Sequence, residues 1–191
     1  MYRKKNYLLP MLAVFAFLVF FFSSALAQTY AIGDLGPGGG TVFYITDGGE
    51  HGLEAAPNGL EKLSGDHSME WGCFGISIPN TRGTGIGTGA RNTRKIMLAA
   101  WKIQAGCTDT GIAAKIANDY FYFYDDWYLP SKDELYDLKD VIGGFAADSY
   151  WSSSEDKDGD GGSVWYQDFT NGLQSSGLKD YFLRVRVVRA F

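Results

Sequence analysis

The stretch Asp126–Leu135, Asp-Trp-Tyr-Leu-Pro-Ser-Lys-Asp-Glu-Leu, constrains the fold more than any other part of the chain. Trp127 and Leu129 alternate with Tyr128, which predicts a short strand with one apolar face. Pro130 has no N–H to give a ladder, so the strand stops there. Ser131 is placed to cap a helix, and Glu134 three residues on completes a capping box. Leu135, Leu138, Val141 and Ile142 then recur at helical spacing, and Gly143-Gly144 ends the helix. Nothing in this element is chemically reactive.

The N-terminus reads as an address. Arg3, Lys4 and Lys5 precede an almost wholly apolar run from Leu8 to Phe22, and Ala25 and Ala27 supply the small residues of an export cleavage site. This predicts a signal peptide over residues 1–27, cut after Ala27, and an exported product: periplasmic, cell-surface or secreted. The competing reading, an uncleaved anchor, has a run that is short for a span. No Cys near the cut offers a lipid anchor. Residues 28–191 are expected to form one domain, with no membrane span left after cleavage.

Cleavage takes Lys+Arg from 17 to 14 and leaves Asp+Glu at 22, a mature charge of about −8. That balance argues against nucleic acid or anionic lipid as the main partner. Rings make up 16% of the residues and Gly numbers 25, a composition of ordered, turn-rich β structure. Cys73 and Cys107 both lie in the exported part and are expected to pair, stabilising the fold by about 3–4 kcal/mol through the loop they close.

Along the mature chain, Gly36-Pro37-Gly38-Gly39-Gly40 leads into a strand at Thr41–Thr46, a turn at Asp47-Gly48-Gly49 and a returning strand at Gly52–Ala56. Residues 58–91 lack periodicity and read as a long ordered loop pinned by Cys73. A helix is expected from Asn92 or Thr93, with Ile96, Met97, Ala100, Trp101 and Ile103 on its apolar side, ending at Gly106-Cys107. Thr108 or Thr110 caps a second helix carrying Ile112, Ala113, Ile116 and Ala117, and aromatic Tyr120–Tyr124 follows. Strands are expected at Tyr150–Glu155, Ser163–Thr170, Leu173–Leu178 and within Tyr181–Phe191, with Asn171-Gly172 as a hairpin turn. The pattern predicts an α+β fold: two to three helices packed on a small twisted antiparallel sheet.

Three pieces together resemble a known family: Gly33–Tyr44 with His51–Pro57; Asp126–Leu135; and Tyr150–Glu155 with the closing Arg184–Phe191. They look like the bacterial family named after the C-terminal domain of the collagen-like adhesin Lcl. More weakly, they resemble the C-type-lectin-like fold shared with formylglycine-generating domains. The resemblance implies an extracellular, non-enzymatic binding domain that recognises carbohydrate or protein and can form a homo-oligomer. It also associates the adhesin domain with sulfated glycosaminoglycans and trimers. This chain departs in having no collagen-like repeat and in being acidic, so fold and binding role carry over and the ligand does not.

Candidate chemistry is sparse. Asp156, Asp158 and Asp160 with Gly161 match the opening of a calcium loop, making Ca2+ the one candidate cofactor. Gln167 stands at the twelfth position where a bidentate Glu belongs, and the ordinary reading is a solvated turn. Thr84–Gly89 has the glycines of a phosphate-cradling loop but neither the preceding strand nor the Lys-Ser/Thr pair; tight turns explain it better. Ser176-Gly177-Leu178-Lys179 fits a penicillin-binding motif by chance, without its partner motifs. His51 and His67, the two histidines, belong to no catalytic pattern. Trp127 and Trp151 are expected in the core. The expected ligand face runs along Glu155, the acidic loop and Trp165, with Arg184 and Arg186 on one strand face as an anion contact or as partners of nearby carboxylates. An exported enzyme or a structural component of an extracellular assembly are the alternatives.

Overall fold

The structure, a computed structural model, describes residues 28–57, 68–102, 107, 111–142 and 146–191. The signal segment with its cut after Ala27, His67, Ile103, the helix end at Gly106, the caps at Thr108 or Thr110 and the Gly143-Gly144 stop lie outside the described residues. Strand β1 (Thr41–Thr46) turns at Gly48, φ +69°, and pairs antiparallel with β2 (His51–Ala55). The last strand, β8 (Val188–Ala190), lies on the other edge of β2. A second sheet has the order β3 (Ser68–Met69), β7 (Leu183–Arg184), β4 (Ser149–Glu155), β5 (Ser163–Asp168), β6 (Gln174–Leu178). Helices α1 (Gly89–Lys102), α2 (Ala113–Asn118) and α3 (Lys132–Val141) complete an α+β fold among the described residues.

The capping box is present in full. Ser131 Oγ accepts from Glu134 N–H at 3.3 Å, and Glu134 Oε2 accepts from Ser131 N–H at 2.7 Å. The strand before it is reduced to one bridge, Tyr128 to Val188, because Leu129 N–H is taken by Thr93 Oγ1 at 3.1 Å. Two sheets replace the single one expected. The closing segment serves both: Leu183–Arg184 joins one, Val188–Ala190 the other, and buried Val185 and Val187 span the gap. The pairing of β7 with β4 is parallel, not antiparallel.

Helix α1 begins at Gly89, before Asn92, whose amide donates instead to the Gly83 carbonyl at 2.7 Å. Ile96, Ala99 and Ala100 seat it, while Trp101 points outward rather than into the core. Trp127 and Trp151 are both buried as expected, in one cluster with Trp71, Ile96, Leu129, Val164 and the Cys73–Cys107 disulfide. A smaller cluster of Phe43, Leu53, Tyr128, Leu138 and Val188 packs the first sheet on α3.

Three buried glutamates tie the loops to this frame. Glu54 on β2 accepts from Gly38 N–H at 2.8 Å, Gly40 N–H at 2.9 Å and Arg189 Nη1 at 2.9 Å. Glu134 accepts from Gly87 N–H at 2.7 Å besides Ser131. Glu155 accepts from Ile78 N–H at 3.0 Å and from Lys179 Nζ, which also donates to the Ile76 carbonyl at 2.6 Å. Burying a carboxylate costs several kcal/mol. Charge-assisted hydrogen bonds of about 1.5–3 kcal/mol each, two or three per carboxylate, offset that cost only while every donor stays in place.

Lys179→Met leaves Glu155 charged and unpaired in the interior. It is expected to lower stability by about 3–5 kcal/mol in denaturant titration, and adding Glu155→Gln, which keeps an acceptor for Ile78, to recover part of the loss. A Cβ at Gly40 would stand 2.5 Å from the Ala55 carbonyl oxygen. Gly40→Ala is therefore expected to cost about 1–3 kcal/mol by the same measurement.

Candidate functional site

The residues expected to form a ligand face are dispersed. Glu155 is buried and bonded to Lys179 and Ile78, so its carboxylate faces the interior. Arg186 is buried as well. Arg184 donates from Nε to Asp148 Oδ2 at 2.8 Å. Trp165 is half-buried on β5, two strands from Arg184, and Lys132 Nζ stands 4.1 Å above its ring. Asp156, Asp158 and Asp160 follow an exposed turn in which Asp156 Oδ1 accepts from Asp158 N–H at 3.2 Å. Among the described residues no three His, Cys, Asp or Glu side chains gather to hold a metal. The calcium-loop spacing lacks the helices that would bend it around an ion. The glycine loop before α1 does cradle an anion, but one supplied from within, the Glu134 carboxylate.

A hollow among the described residues lies elsewhere. A cleft of about 380 Å³ is walled by Ala90, Thr93 and Arg94 of α1, Asn118 at the end of α2, the segment Asp125–Tyr128, and Ala190 of β8. The buried frame sets its walls. Thr93 Oγ1 holds Leu129 on both sides, accepting from its N–H and donating to its carbonyl at 3.2 Å. Arg189 grips Glu54 with one arm and donates from Nε to Asp126 Oδ1 with the other. The Asp126 side chain is half exposed, leaving it open to the cleft. Burial, then the nearby Glu134 and Asp126 charges, push the Tyr128 phenol well above its usual range, so it stays protonated as a neutral hydrogen-bonding group.

Next to Asp125 stands an aromatic tongue, Phe121–Tyr124. Tyr122 and Tyr124 exchange backbone hydrogen bonds at 3.2 and 2.7 Å across Phe123, which is left at φ +59°. Trp127 Nε1 donates to the Tyr122 carbonyl at 3.3 Å, and the Arg189 guanidinium lies 3.8 Å over Tyr124. Gly39 passes beneath, where a Cβ would come within 2.7 Å of the Tyr122 ring. Phe121 is 72% exposed and Phe123 71%. Each forgoes about 1.5–3 kcal/mol of burial, and a non-glycine left-handed residue costs about 1–2 kcal/mol more. A segment so unfavourable, yet held from three sides, points to use at the surface.

Arg94, Asn118, Asp125 and Asp126 were not singled out by the sequence reading. The signal was the run Tyr120-Phe121-Tyr122-Phe123-Tyr124-Asp125-Asp126, since five consecutive rings cannot all face one core. No family model and no curated protein matches the chain. Phe123→Gly removes the left-handed strain at an exposed ring. It is expected to leave the melting temperature unchanged or slightly raised, by up to about 1 kcal/mol of stability; a loss of several kcal/mol would mean the ring holds the tongue together.

Proposed function

We propose that the chain is an exported, non-enzymatic recognition domain that holds a carbohydrate in the Arg94–Asp126 cleft. The observation that carries this is the tongue: two exposed phenylalanines, one of them, Phe123, held at φ +59°, standing next to a polar cleft. Flat rings stack on sugar faces, while the cation, amide and carboxylates of Arg94, Asn118, Asp125 and Asp126 suit hydroxyl groups. The resemblance to the Lcl C-terminal family and to C-type-lectin-like folds supports an extracellular binding role of this kind.

The groups with displaced proton affinity speak against catalysis. A general acid or base works best with a pKa near the operating pH. Tyr128 is driven away from neutrality, and Glu134 and Lys179, moved toward it by burial, have their polar atoms turned to backbone partners or to Glu155 inside the frame. His51 is exposed at the start of β2, 3.2 Å from Asp47. A protein ligand is the second reading, favoured by the same exposed rings, since aromatic residues dominate protein interfaces.

A glycan array followed by calorimetry is the test. Arg94→Ala and Asp125→Asn are each expected to weaken binding about tenfold or more. Chelation, and replacement of Asp156, Asp158 and Asp160 by Asn, are expected to leave it unchanged. An array without hits, together with a pulled-down protein lost on Phe121→Ser and Phe123→Ser, would favour the protein ligand.

A further inference from the structure

We infer that the outer face of α1 docks on an anionic phospholipid bilayer. In its 14 residues α1 carries Arg91, Arg94, Lys95 and Lys102 and no acid, while the rest of the mature chain holds 22 carboxylates against ten cations. At about 100° per residue, these four side chains share an arc of roughly 120° with Leu98 and Trp101, opposite the buried Ile96 and Ala100. Among the described residues none of the four cations has a carboxylate at ion-pair distance. Trp101 is 72% exposed in their midst.

Cations alone would suit any polyanion. An anionic polymer in water gains nothing from Leu98, whereas a bilayer takes the cations at its headgroups and the indole and leucine just below them. No helix among the described residues is long and apolar enough to cross a membrane, so the contact is with the surface. The acidic remainder does not oppose it. Charge–charge interactions decay over about 8–10 Å at physiological salt, so the far carboxylates are screened from a leaflet that α1 touches. The net charge of about −8 argues against this partner only if charge is averaged over the molecule.

The test is flotation of the processed protein with vesicles of phosphatidylglycerol and phosphatidylcholine, against phosphatidylcholine alone. Binding is expected only to the charged vesicles, to fall as salt rises, and to weaken at least about tenfold in Lys95→Glu/Lys102→Glu and in Trp101→Ser. Lipid-borne quenchers are expected to dim the fluorescence of the protein but not of Trp101→Phe. Because these side chains point outward, thermal melts should be unchanged; if the double variant melts early, Arg91→Glu replaces it. Absence of binding overturns the proposal. So does charge-dependent binding that Trp101→Ser leaves intact, and that a soluble polyanion matches: this would make α1 a polymer site.

Discussion

The structure rests on backbone N–H groups turned inward onto buried carboxylates. Glu54, Glu134 and Glu155 sit on β2, at the start of α3 and at the end of β4, and each collects a loop that has no regular structure of its own. A loop packed by apolar contacts alone would bury its amides unsatisfied, at about 1–3 kcal/mol apiece. Supplying a charged acceptor removes that penalty and fixes the loop's path in one step. The glycines follow from it: at Gly36, Gly38 and Gly89 a Cβ would collide with the very carboxylate being held.

The same network reaches the cleft. Arg189, in the middle of the chain's last strand, lies between two carboxylates, one wholly buried and one half exposed, with the Tyr124 ring beneath it. A guanidinium presents its donors in a rigid fork, so its grip on Glu54 sets the direction in which it offers Nε to Asp126. The cleft wall is thereby indexed to the core. The tongue can hold Phe123 in a left-handed conformation because Trp127, Gly39 and Arg189 leave the flanking tyrosines no alternative.

Much of the fold was legible because it is local. The capping box at Ser131 and Glu134, the hairpin around Gly48 and the burial of Trp127 and Trp151 follow from spacing within a few residues. What escaped was non-local. Nothing near Glu155 in the sequence announces Lys179 as its partner, so its carboxylate read as a surface group. Nothing in Leu183–Ala190 shows that one extended segment serves two sheets. Trp101 was open to a local reading, since at about 100° per residue it falls with Arg94 and Leu98 and away from Ile96 and Ala100; its apolar ring drew the expectation that it faced inward. The cleft was illegible for the same reason as the Glu155 pairing: Arg94, Asn118 and Asp126 are brought together by three separate elements of the chain.

This separates what a motif encodes from where recognition lies. The stretches His51–Pro57, Asp126–Leu135 and Tyr150–Glu155 each contain one of the buried glutamates, and the closing Arg184–Phe191 contains Arg189. Their characteristic residues are therefore occupied in holding loops, with donors and acceptors already spent inside. The exposed features, the tongue at Phe121–Tyr124 and the outer face of α1, fall in the intervals between those stretches. The outward rings of Phe121 and Phe123 and the outward cations of α1 are mostly exposed, so they can change without loosening the frame. A motif spent on such a frame specifies the scaffold, and the ligand must be read from the surface the motif leaves open.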